Sequence, residues 1–133
     1  MDWLLDGNLL VALRIDTHLH HQRAHRWFRS RLRDYFVTCP QTQGTLLMVH
    51  MTLAADRSAL AAWKALSEIV SHPRHRFWPD NFSYLEVSGD RLQGAKQVTD
   101  AWLAELARRK GGKVATLDEG LVLLHSKLAE LVP

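Results

Sequence analysis

Hydrophobic residues recur along this chain in two rhythms. Short apolar or β-branched runs, Trp3-Leu4-Leu5, Asp34-Tyr35-Phe36-Val37-Thr38-Cys39-Pro40 and Lys113-Val114-Ala115-Thr116-Leu117-Asp118, are cut off by an acid or a proline and read as strands. His75-Arg76-Phe77-Trp78-Pro79-Asp80, aromatic and proline-bounded, suits a further strand, and Ala129 to Val132 a short last one. Between these runs, apolar positions three and four apart mark helices. Ala24, Trp27, Phe28 and Leu32 make one stripe between His20 and Arg33, with Asp16-Thr17 as its cap. Ser58 caps a second helix through Leu60, Trp63, Leu66 and Ile69, and Thr99 is placed to cap a third through Leu103 and Leu106 that finishes at Arg108-Arg109-Lys110-Gly111-Gly112. Shorter helical segments fit Asn8 to Leu13, with Asn8 as cap, Leu46 to His50, and Leu121 to His125. Asn81 to Ser88 takes no clear assignment.

Strands alternating with helical segments of this length predict βαβ units, and therefore an α/β fold with a mainly parallel sheet covered on both faces. At 133 residues the whole chain, 1–133, is expected to be a single domain. Apolar residues make up 47%, yet no apolar run approaches the roughly 20 residues of a membrane span. Asp2 beside Met1 argues against a secretory leader, and the expectation is a cytoplasmic protein with no membrane partner. A lone cysteine, Cys39, excludes an internal disulfide and a multi-cysteine zinc site.

Charge changes the picture locally rather than globally. The formal balance is only +3, but Arg14, Arg23, Arg26, Arg29, Arg31 and Arg33 fall in one stretch with His18, His20, His21 and His25. That is a basic surface suited to a polyanion, and equally a solvated helix face. Two acids stand where chemistry is expected in such folds. Asp6 ends the first strand, Asp118 ends the fourth in a mirrored setting, and ligands of open α/β sheets bind at carboxyl ends of strands. Those two strand ends can be neighbours. Asp100, at a helix start, cannot be brought to them by spacing alone.

Six segments taken together resemble the PIN-domain family, and within it the VapC-type ribonuclease toxins of bacterial toxin–antitoxin pairs. They are Leu4-Leu5-Asp6-Gly7-Asn8-Leu9-Leu10, His20 to Phe28, Thr38-Cys39-Pro40-Gln41-Thr42, His75 to Asp80, Gln97-Val98-Thr99-Asp100-Ala101 and Ala115-Thr116-Leu117-Asp118. The resemblance implies a three-layer α/β/α sandwich with a central, mainly parallel sheet. It also implies an acidic cluster that binds Mg²⁺ or Mn²⁺ and hydrolyses RNA phosphodiester bonds. On that resemblance Asp6, Asp100 and Asp118 are the metal-binding and catalytic acids, Asn8 and Thr116 support them, and Arg14, Arg23 and Arg26 contact RNA. The family's remaining glutamate position falls on Gln43, which brings an acceptor oxygen but no charge and cannot serve as a base. The expectation is therefore an endoribonuclease attenuated at position 43, with a cognate antitoxin and a homodimer as partners. The alternative is a catalytically silent PIN-fold protein that acts by binding RNA or its antitoxin. A Rossmann-like phosphatase or nucleotide binder is disfavoured, because the first turn is Asp-Gly-Asn rather than a glycine-rich phosphate loop.

Overall fold

The computed structural model describes residues 1–133 and contains five strands and six α-helices. In chain order they are β1 (Asp2–Leu5), α1 (Gly7–Arg14), α2 (His21–Ser30), β2 (Tyr35–Thr38), α3 (Pro40–Leu53), α4 (Ala59–Val70), β3 (His75–Phe77), α5 (Gln97–Lys110), β4 (Lys113–Thr116), α6 (Glu119–Leu124) and β5 (Ala129–Leu131). All neighbouring strands pair parallel, in the order β3-β2-β1-β4-β5. The first strand is therefore the central one, between β2 and β4.

Alternation along the strands divides the core in two. Leu4, Val37 and Val114 point to one face, where they meet Trp102, Leu103, Leu106 and Ala107 of α5 and Leu121 of α6. Trp3, Leu5, Phe36 and Ala115 point to the other, against Leu9, Leu10 and Ala12 of α1 and Ala24 and Trp27 of α2. This is the α/β/α sandwich. A smaller apolar cluster of Val11, Ile15 and Leu46 seats α3 and α4 beside α1.

Several local expectations are corrected. Asp6, not Asn8, caps α1, its side chain accepting from Gly7 N–H, and Asn8 lies inside the helix. Asp16 and Thr17 sit in a turn, and α2 starts later, behind His20 without a side-chain cap. Leu32 lies beyond the end of α2 and is exposed rather than on the buried stripe. Helix α3 begins at Pro40, whose fixed φ suits the first helical position, so it reaches back to include Gln43. Thr99 is not a cap: α5 starts at Gln97, whose Oε1 accepts from Gln93 N at 2.6 Å and ties the preceding loop to the helix.

Two glycines mark close approaches. A Cβ at Gly112 would lie 2.6 Å from the Asp2 carbonyl oxygen and 2.7 Å from Trp78 Cη2, whereas one at Gly44 in α3 would meet nothing within 4 Å. Gly112→Ala is expected to destabilise by about 2 kcal/mol through overpacking. Gly44→Ala should stabilise by about 0.5 to 1 kcal/mol through helix propensity. Urea midpoints of the two variants against the parent chain check both signs.

Candidate active site

The carboxyl edge of the sheet is built around Asp6. Its backbone N–H extends the β1–β4 ladder to the Ala115 carbonyl at 2.9 Å, and its own carbonyl accepts from Leu9 N and Leu10 N to start α1. The side chain is pinned twice: Oδ1 accepts from Gly7 N at 2.7 Å and Oδ2 from Thr116 Oγ1 at 2.7 Å. Thr116, fully buried at the end of β4, uses the same hydroxyl to accept from Asp118 N at 3.0 Å. Asp118 in turn caps α6, Oδ1 accepting from Gly120 N at 2.8 Å. Asn8 Oδ1 receives Leu117 N at 3.3 Å and so sews α1 to the loop after β4. One hydroxyl and one amide thus hold two acid-bearing segments that are more than 100 residues apart in sequence.

Asp100 joins them from the first turn of α5. Burial comes first, then the charges of Asp6 and Asp118, and together they push its carboxyl up to about 6. Asp6 is raised as well, by burial above all, with the Thr116 and Gly7 hydrogen bonds acting against that rise and the Asp118 charge adding to it. None of these three acids has a basic partner, while Asp2, Glu68, Glu105 and Glu130 are all ion-paired. The chain leaves its most crowded negative charges uncompensated. No three of its His, Cys, Asp or Glu side chains converge as a ready-made ligand set around one point. The donors available here are carboxylate oxygens. They suit a hard divalent cation, which in the case of Mg²⁺ takes one or two carboxylates and fills its remaining positions with water.

Gln43 sits in the first turn of α3, beside this edge. Gly7 packs so tightly on α3 that a Cβ there would lie 2.5 Å from Thr45 Cγ2, two residues from Gln43. The Gln43 amide nitrogen donates to Thr38 Oγ1 at 3.0 Å. Sequence reasoning passes over Thr38. It is a fully buried threonine at the end of β2, in the same setting as Thr116 at the end of β4, and a polar β-branched residue closing an apolar strand is the signal that marks both.

The arginines divide. Arg14 is paired with Glu68 at 2.6 Å, and Arg23 is spent on the Val132 carbonyl through Nε at 3.0 Å and through Nη2. Arg26 and Arg29 are exposed and form no ion pair. These two line a shallow polar hollow on α2 with His21, Gln22 and His25.

Comparison with known proteins gives a consistent picture. The chain is 44% identical over 133 residues to the ribonuclease VapC29 of Mycobacterium tuberculosis, covering 100% of this chain and 98% of that protein. It is 36% identical over 124 residues to the ribonuclease VapC38 of the same organism, covering 91% and 88%. No family model matches. Among solved structures it is similar to the sarcin-ricin loop cleaving toxin VapC20 of M. tuberculosis, with TM-score 0.73 at 18% identity and full coverage of both chains. It is also similar to VapBC2 from Rickettsia felis bound to a promoter DNA fragment, with TM-score 0.71 at 12% identity and full coverage of both. FitAB bound to a DNA fragment gives TM-score 0.67 at 19% identity, covering 98% of this chain and 94% of that one.

Folding raises the Asp100 pKa from 3.8 to about 6, so between those values the folded chain keeps a proton that the unfolded chain has released. The contribution of Asp100 to stability is therefore greatest below pH 4 and is lost as pH rises through 6. Unscreened, the effect would be worth about 3 kcal/mol. Solvent reaches this carboxyl and screens it, leaving on the order of 1 kcal/mol. Asp100→Asn should raise Tm at pH 8 and flatten the decline between pH 4 and 7, as read by thermal melts across that range.

Proposed function

This chain belongs to the VapC family of PIN-domain ribonucleases, and we propose that it is the toxin of a type II toxin–antitoxin pair, an Mg²⁺- or Mn²⁺-dependent endoribonuclease working as one PIN-like domain over residues 1–133. The observation that carries this reading is the uncompensated carboxyl trio at the carboxyl edge of a parallel sheet. Asp6, Asp100 and Asp118 would hold the ion, and the bound ion would lower the pKa of a coordinated water and neutralise charge on the scissile phosphate. The chain's own residues prepare the place. Gly7 N–H and the Thr116 hydroxyl fix the Asp6 carboxylate in one orientation, and Asn8 fixes the loop that carries Asp118. Asp100, whose carboxyl accepts no hydrogen bond and is pushed up to about 6 by burial and the charges of Asp6 and Asp118, would have that repulsion relieved by the bound cation. Gln43 supplies an amide oxygen where the family has a carboxylate, which lowers both the repulsion in the cluster and its hold on a cation.

RNA phosphates would lie against the basic face of α2, where Arg26 and Arg29 are free. Arg14 and Arg23 act there only after releasing Glu68 and Val132. Two of the structural neighbours, VapBC2 and FitAB, are two-component assemblies, which supports an antitoxin as partner. A cavity of about 180 Å³ between α1, α2 and α4, lined by Leu10, Leu13, Phe28, Phe36 and Ile69, offers a seat for its apolar side chains. Leu9 and Leu46, fully buried beside it, serve the core. Met48, Met51, Leu60 and Trp63, exposed on α3 and α4, suit the face of a homodimer. No helix is long and apolar enough to cross a membrane. As a nuclease for cellular RNA the chain would act in the cytoplasm. The silent reading, RNA or antitoxin binding without turnover, draws its support from Gln43 alone.

Purified protein incubated with structured RNA and Mn²⁺ should cut it slowly, and Asp6→Ala or Asp118→Ala should reduce the rate by about 100-fold or more. Gln43→Glu should tighten Mn²⁺ binding by about 10-fold and speed cleavage. Equal affinity and turnover in both forms would count against the role given to position 43, and RNA bound but uncut by every form with Asp6 intact would favour the silent reading. Arg26→Ala and Arg29→Ala should each lower the salt slope of RNA binding by about 0.7.

A further inference from the structure

The His75 motif that follows α4 has no part in the chemistry described so far, yet its imidazole ends at the same sheet edge. His75 Nε2 lies 2.7 Å from Thr38 Oγ1, and Thr38 Oγ1 receives the Gln43 amide at 3.0 Å. Thr38 is fully buried and stands level with Leu5, the residue before Asp6, in the adjacent strand. We propose that Thr38 and His75 are positioning residues that hold the Gln43 amide nitrogen toward the sheet and leave its carbonyl oxygen free at the acid cluster. The inference rests on the ribonuclease reading above and assigns two residues to it.

Proton counting carries the argument. A threonine hydroxyl has one proton to give and two lone pairs to accept with. The buried Thr38 hydroxyl has no side-chain or backbone partner besides Gln43 and His75, so when Gln43 Nε2 donates to it the threonine proton goes to His75 Nε2, and the ring carries its own proton on Nδ1. The opposite chain is self-consistent too: a protonated Nε2 donates to Thr38, Thr38 donates to the Gln43 oxygen, and the amide turns its NH₂ outward. The imidazole tautomer and the exposed end of the amide are thus one variable. The NH₂ end would donate to the acids and occupy their oxygens, whereas the carbonyl end offers one more acceptor for a cation or its waters. Gln43 Oε1 accepts no hydrogen bond from the protein, which leaves it available. Burial above all, then the charge of His72, hold His75 below the usual histidine range, so the ring is neutral and one of its two nitrogens is free to accept. Phe36 packs edge-on against the ring at 5.4 Å and fixes its plane.

The test has a spectroscopic arm that needs no turnover. Long-range ¹H–¹⁵N spectra of the labelled chain should show His75 protonated at Nδ1 and bare at Nε2. In Gln43→Glu the proton should move to Nε2, because a carboxylate can only accept from Thr38. A ring protonated at Nε2 in the parent chain, or a tautomer indifferent to Gln43→Glu, overturns the proposal. The kinetic arm uses Mn²⁺-dependent RNA cleavage. Thr38→Val should lower kcat/KM by about 10-fold, as loss of an outer-shell partner does. Thr38→Ser should restore it, and Thr38→Val should add nothing in a Gln43→Ala background. Losses that add in the double variant would mean that Thr38 serves the fold alone, and the proposal fails. If no form cuts RNA, the ribonuclease reading falls, and the His75 spectrum still decides how the amide is held.

Discussion

A carboxylate placed in the middle of a parallel sheet edge must be satisfied by the protein or expelled from it, and the 2.7 Å bond from Thr116 to Asp6 is how this chain satisfies it. Because β1 is central, Asp6 is walled on both sides by other strands, and desolvation is the largest influence on it. A neutral hydroxyl and one backbone N–H stabilise the charge without cancelling it. Arginine in their place would neutralise the site. The arrangement keeps the fold intact and the charge available, which is what a cation-binding edge requires.

The same logic extends to the whole distribution of charge. Some acids elsewhere meet bases locally: Glu105 accepts from both Arg108 and Arg109 at the end of α5 and is held down to about 2. On α2, by contrast, there is no acid at all, and the free arginines face solvent. Negative charge is concentrated without partners at one place and positive charge at another. The proposed substrate, an RNA polyanion cut with the help of a cation, would answer to both.

The layered α/β fold was legible because its strands and helices obey the two spacings of burial, and the split of Leu4 from Trp3 and Leu5 across the sheet follows from alternation alone. The mirrored ends of β1 and β4 likewise announced Asp6 and Asp118 as neighbours. Helix starts were less legible. Asp6 took the role read for Asn8, and Gln97 displaced Thr99, since caps are decided by where the loop arrives and not by residue type. Asp100 came from resemblance, and no spacing rule could have delivered it. Thr38 was invisible for another reason: a threonine in a strand looks like any β-branched residue until the partner of its hydroxyl is known.

The central place of β1 has a consequence in time. Asp6 is made among the first residues, but the strand that completes its surroundings ends at Thr116, and Asp118 follows later still. Contacts this distant in sequence close late in folding. A ribosome making this chain therefore carries no assembled acid cluster until nearly all of it has been synthesised. The cavity between α1, α2 and α4 is built wholly from residues up to His72, so it is complete in sequence well before the acid cluster is.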